Sequence, residues 1–133
     1  MTDLVFFYGT LMSGFKRPGR SRVDTKLSPV GRGWIPAALY DLGLYPAAIP
    51  AFDDRVFGEV HRMLDSEEVL SVLDEIEGFR PSEPDASLYT RVETTVTFQD
   101  GRTAPAWAYF YNAPLGRAHR IESGDYREHL KVK

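Results

Sequence analysis

The chain has 133 residues, 43% of them apolar and 26% charged, which suits an ordinary globular domain that buries its core without covalent staples. A formal charge of −3 gives a nucleic-acid partner no global electrostatic support. With no cysteine, disulfides, a thiol nucleophile and thiolate metal sites are excluded, and a reducing compartment is the natural setting.

Residues 1–133 read as one domain. Leu4 to Tyr8 form an uninterrupted apolar run, the pattern of a strand covered on both faces. No basic segment precedes it, and it is too short for a signal-peptide core. Nothing in the chain approaches the ~18 apolar residues of a membrane span. A cytoplasmic location is expected, with no membrane or nucleic-acid partner. The strand runs into Tyr8-Gly9-Thr10-Leu11 rather than the Asn-Gly or Asp-Gly that would close a hairpin. That exit leaves backbone N–H groups, a hydroxyl and a phenol in a loop. It is either a packing detail or the floor of a binding site.

Residues 13–26, "SGFKRPGRSRVDTK", are polar and basic and read as a solvated loop, or else one that meets an anionic substrate tail or partner. Strands are predicted over 30–42, 45–49 and 56–63, separated by "DLG" and "AFDD" turn signals. The spacing predicts a helix from Ser66 to about Glu77. Asp65 is its N-cap, Glu68 the capping-box partner and Gly78 the stop. Two longer strands follow at 89–98 and 104–111, joined through Asp100-Gly101. Residues 113–133 form a tail with a short helix near 126–130. Five to six strands with one main helix packed against them make an α+β fold, a small mixed β-barrel.

Along the helix, Val69, Val72, Leu73 and Ile76 share one arc, and Glu67, Ser71 and Asp74 point away from it. Glu77 follows Leu73 by four and Leu70 by seven, which puts a carboxylate at the border of the buried stripe. Either the helix end frays there, or the group is desolvated and its pKa rises toward the range useful for acid–base work.

Taken in order, Tyr8-Gly9-Thr10-Leu11, Leu73-Asp74 with Glu77-Gly78, and Tyr89-Thr90-Arg91 resemble the gamma-glutamylcyclotransferase-like superfamily, which includes the gamma-glutamylamine cyclotransferases. "YDLGLYPA", "VFGEV" and "IESGDYR" extend the likeness over nearly the whole chain. The resemblance implies a small mixed barrel and a cradle at Tyr8, Gly9, Thr10 and Leu11 for a small gamma-glutamyl substrate. It also implies Glu77 as the catalytic acid–base. The implied reaction is attack of the substrate's α-amine on its own γ-carbonyl, giving 5-oxoproline with no protein nucleophile. Backbone N–H groups of Gly9, Thr10 and Leu11 would suit an anion.

Tyr111 either adds a hydroxyl to the pocket or is a barrel-wall aromatic. Arg91 pairs with a carboxylate in the pocket or structurally with Glu59 or Glu93. His61, His119 and His129 lack metal-ligand spacing, so no metal or other cofactor is expected. Rival readings are a non-catalytic module binding a small anion or a partner through the same cavity, and removal of a gamma-glutamyl protecting group from a specialised metabolite. Oligomeric state is not legible.

Overall fold

The computed structural model describes residues 2–131. Strand β1 (Leu4–Phe7) is buried along its whole length. It lies between two partners, antiparallel to β3 (Pro46–Met63) and parallel to β5 (Thr103–Tyr111). Flanked on both edges and covered on both faces, it needs apolar residues at every position, which accounts for the run read from the sequence.

The sheet order is β3-β1-β5-β4-β2-β6, with β4 spanning Tyr89–Phe98, β2 Leu27–Asp41 and β6 His119–Arg120. An additional β2–β3 pairing closes the first five strands into a barrel and leaves β6 attached outside, on β2. This is the α+β barrel expected.

Two predicted strands are in fact one. The "AFDD" signal does not end a strand, because β3 runs unbroken through it. The pairing with β2 jumps from Pro36↔Arg55 to Ala37↔Pro50, so residues 51–54 are extruded as a bulge. Pro36 and Pro50 flank the jump, where their missing N–H groups cost no ladder bond. The hairpin between β4 and β5 turns at Asp100-Gly101, in register from Thr97↔Thr103 to Tyr89↔Tyr111.

Helix α1 covers Ser66–Glu77 as predicted, capped by the Asp65 side chain on the Glu68 N–H at 3.2 Å. The Glu68 carboxylate does not complete a capping box and pairs with Lys26 instead. Gly78 ends the helix at φ 71°, a left-handed conformation in which its N–H reaches back to the Asp74 and Glu75 carbonyls. Val69, Leu70 and Leu73 face the core, and so does Asp74, which the helical wheel had placed outside. Packing against β4 and β5 explains this. The Arg91 guanidinium grips the Asp74 carboxylate through two bonds of 2.9 and 3.2 Å, and the Tyr109 hydroxyl donates to it at 2.6 Å. A fully partnered carboxylate can be buried. Arg91 is therefore structural, but its partner is neither Glu59 nor Glu93.

The basic stretch is likewise not a solvated loop throughout. Residues Arg20–Lys26 form a 3-10 helix with Val23 buried, and Arg17 and Arg20 turn inward. Arg20 Nε donates to the Leu11 carbonyl at 3.0 Å. Arg17 donates to the carbonyl of Ile76, one of the acceptors left open at the end of α1. Helix α2 (Tyr126–Lys131) closes the tail.

Candidate functional site

A narrow cavity of about 20 Å³, or about 340 Å³ when the crevices between wall atoms and the open mouth are counted, lies between the exit of β1 and the C-terminal end of α1. Tyr8, Gly9, Thr10 and Leu11 form one side, and Glu77, Arg17, Tyr45, Pro46, Tyr89 and Tyr109 complete the wall. The two segments singled out in the sequence therefore meet at one space.

Each wall residue has a traceable anchor. The Tyr8 hydroxyl donates to the Tyr109 carbonyl at 2.7 Å and accepts from the Ala48 N–H at 3.3 Å. Its phenol is thus committed to the fold, and the ring is what Tyr8 offers the cavity. Burial pushes that phenol far above its ordinary pKa, and nearby Tyr89 and Glu77 push it further. Tyr89 donates to the Pro46 carbonyl at 2.9 Å, fixing the opposite side. Tyr111 does not line the cavity. It packs edge-on against Tyr89, with ring centroids 5.3 Å apart, and buttresses it from behind.

The loop after β1 supplies the polar surface. The Met12 N–H bonds back to the Gly9 carbonyl at 3.0 Å, closing a tight turn. Among the described residues, no hydrogen bond engages the N–H groups of Gly9, Thr10 or Leu11. The Thr10 hydroxyl accepts from Arg17 Nη1 at 2.7 Å, which leaves its own hydrogen free to donate. Beyond the turn, Glu59 receives the Ser13 N–H and hydroxyl at 3.0 and 3.1 Å and Arg127 at 2.9 Å. Burial pushes the Glu59 carboxyl up, but the bonds from His61, Ser13 and Arg127 outweigh it and hold the pKa down to about 2. That carboxylate secures the loop without facing the cavity.

Gly9 permits the close approach at the cavity floor. A Cβ there would stand 2.6 Å from the Pro46 ring. Gly9→Ala is therefore expected to displace Pro46 and, through it, the Tyr89 hydroxyl. We expect a stability loss of about 1–3 kcal/mol by thermal unfolding, with ligand binding weakened as well.

Glu77 is the carboxyl that lines the cavity. Desolvation raises its carboxyl pKa to about 7, even though the Arg17 guanidinium opposes the rise. A carboxyl held near neutrality beside uncommitted N–H donors and a hydroxyl can exchange a proton with a bound amine while an anion rests on the loop. Among the described residues, no cluster of His, Asp or Glu is placed to hold a metal ion. No helix among them is long and apolar enough to cross a membrane.

Sequence reasoning missed Tyr45, Pro46, Tyr89 and Tyr109 at the site, and reached Arg17 only as part of the basic loop offered to an anionic substrate tail. A signal for Tyr89 was present, since the Asp100-Gly101 hairpin register sets it directly opposite Tyr111. Nothing in the sequence announces that Arg17 folds back from its loop.

The family model described as gamma-glutamyl cyclotransferase, AIG2-like, matches residues 5–128. No curated protein sequence matches the chain. Among solved structures, ytfP from Escherichia coli is 28% identical at a TM-score of 0.63, covering 96% of this chain and 98% of that one. Uncharacterized protein PH0828 from Pyrococcus horikoshii is 23% identical at 0.69, with 98% and 95% covered. An AIG2-like protein from Mus musculus is 22% identical at 0.64, with 84% and 79% covered.

Proposed function

Because this chain belongs to the gamma-glutamyl cyclotransferase, AIG2-like family, we propose that it cyclises gamma-glutamyl groups, releasing 5-oxoproline and the amine to which each was attached. The reading is carried by one observation, the Glu77 side chain sharing one cavity with Gly9, Thr10 and Leu11, whose N–H groups no hydrogen bond engages among the described residues.

In the proposed reaction the loop N–H groups and the Thr10 hydroxyl hold the substrate's α-carboxylate and steady the oxyanion that develops on the γ-carbonyl. The α-ammonium lies toward Glu77, whose carboxylate takes one proton from it. The freed amine attacks the γ-carbon, forming the ring C–N bond. Glu77 then returns that proton to the departing nitrogen as the original amide bond breaks, and the ring nitrogen gives up its second proton through Glu77 to the released amine, which leaves as its ammonium form. Atoms balance without water or a protein nucleophile. Holding amine and carbonyl in a near-attack pose supplies much of the acceleration, up to about 7–11 kcal/mol in well-oriented intramolecular cases.

Glu77 must begin as carboxylate, so kcat/KM is expected to rise with pH through about 7. Arg17 opposes the desolvation of Glu77, so Arg17→Gln is expected to move that acid limb upward. A pH–rate profile of each protein checks both expectations.

The direct test is incubation with gamma-glutamyl amino acids, gamma-glutamylamines and epsilon-linked gamma-glutamyl-lysine, followed by assay for 5-oxoproline. Release from any of them supports the reading. If none is cyclised while a small anion raises the melting temperature, the cavity belongs to a binding module. The partly buried, desolvated carboxylate of Glu77 argues against that rival, because without a substrate ammonium beside it the group repels the anion such a module would hold. The absence of cysteine supports a cytoplasmic setting for the enzyme.

A further inference from the structure

Arg17 borders two spaces. It lines the cavity beside Glu77, and it also lines an open cleft of about 520 Å³ formed by residues between Met12 and Asp24. The charged side chains of that cleft are Lys16, Arg17, Arg20 and Asp24, three cations against one carboxylate. Asp24 is paired with Arg20. The remaining two cations have no carboxylate partner within the cleft.

Arg17 is held in place by uncharged groups. Two of its five N–H donors go to the Thr10 hydroxyl and the Ile76 carbonyl, and its guanidinium stacks over the Tyr45 ring at 4.3 Å from the centroid. The fork is therefore oriented but still has donors to give. Beside it, Lys16 has φ 55°, the one positive φ outside glycine among the described residues. That conformation is disfavoured for a lysine, and no hydrogen bond or ion pair among the described residues engages its ammonium.

Resting on the cyclisation reading, we infer that Arg17, with Lys16 beside it, selects substrates whose departing amine carries a carboxylate over those that release a neutral amine. With the gamma-glutamyl head in the inner cavity and its α-ammonium at Glu77, the scissile amide faces outward. The amine portion then leaves past Arg17 into the basic cleft. A planar guanidinium with free N–H groups matches a carboxylate in two-point geometry, and Lys16 adds a second positive charge. Arg17 is the specificity-determining residue of the site in this assignment, and Lys16 reinforces it.

The experiment compares gamma-glutamyl-alanine with gamma-glutamyl-alaninamide, which differ only in whether the departing group ends in a carboxylate or a neutral amide. The wild-type protein is expected to favour the carboxylate by about ten- to a hundredfold in kcat/KM, mainly through KM. That preference should shrink as salt rises. Arg17→Gln is expected to bring the ratio close to one, and Lys16→Gln to reduce it less. The ratio of the two substrates cancels any loss both share from a disturbed loop. The salt dependence of the wild type needs no variant to fold. Equal turnover of both substrates by the wild type would overturn the inference and leave cyclisation standing. A preference that survives in Arg17→Gln would also overturn it. Release of 5-oxoproline from neither compound would remove the cyclisation reading and the inference with it.

Discussion

Glu77→Gln is expected to lower 5-oxoproline release by about 10²- to 10⁴-fold, the range that general acid–base groups contribute, while leaving the barrel folded. Gln has the same shape, so the cavity wall and the N–H groups of the loop keep their places. It can neither accept the ammonium proton nor return one to the leaving nitrogen, and only those proton transfers are removed. The same substitution should change stability in the opposite sense. The folded-state pKa of Glu77 is raised to about 7 from an ordinary 4.5. Its contribution to stability is fully present below about pH 4.5 and is lost as pH rises through 7, where the native state must hold a desolvated carboxylate. Above that pH the Gln variant should be the more stable protein, by about 3 kcal/mol, whereas near pH 4 the two should coincide. Denaturant unfolding at both pH values checks the sign. A site residue that costs stability where it works is the usual trade-off of a functional group.

Asp74→Ala is expected to be the most damaging single change to stability, by about 3–5 kcal/mol. The Asp74 carboxylate receives both arms of Arg91 and the Tyr109 hydroxyl, and its removal leaves a half-buried guanidinium and a buried phenol without their acceptor. Truncating Arg91 as well should recover part of the loss, since the second change removes the unpaired cation. A double-mutant cycle by urea unfolding measures that coupling. The effect should also reach turnover. Asp74 lies three residues before Glu77 on α1, so the two share a side of the helix, and the pairing with β4 and β5 fixes the rotation that presents Glu77 to the cavity.

The parts of the fold legible in the sequence are those decided locally. Asp65 and Gly78 mark the ends of α1, Asp100-Gly101 marks the hairpin, and the unbroken run from Leu4 marks a strand buried on both faces. What escaped depends on partners distant in the chain. Asp74 falls on the polar arc of the wheel, yet Arg91 and Tyr109 arrive from two strands to bury it. Residues 51–54 carry turn chemistry, yet the pairing with β2 resumes on both sides of them. Glu77 was legible because its position relative to Leu70 and Leu73 is a matter of helical geometry. Arg17 was not, because a guanidinium in a basic loop looks the same whether it faces water or the Thr10 hydroxyl. Tyr8 was legible as a wall, but its hydroxyl is spent on Tyr109 and Ala48, which only the closed barrel brings near.

The central claim is that the substrate's own amine closes the ring, with Glu77 carrying the proton and no water taking part. Turnover in water enriched in oxygen-18, followed by mass spectrometry of the products, tests it most directly. The account predicts 5-oxoproline with no oxygen-18 and with the α-nitrogen retained in the ring. Free glutamate bearing one oxygen-18 in its γ-carboxylate would mean that water is the nucleophile, and would contradict it.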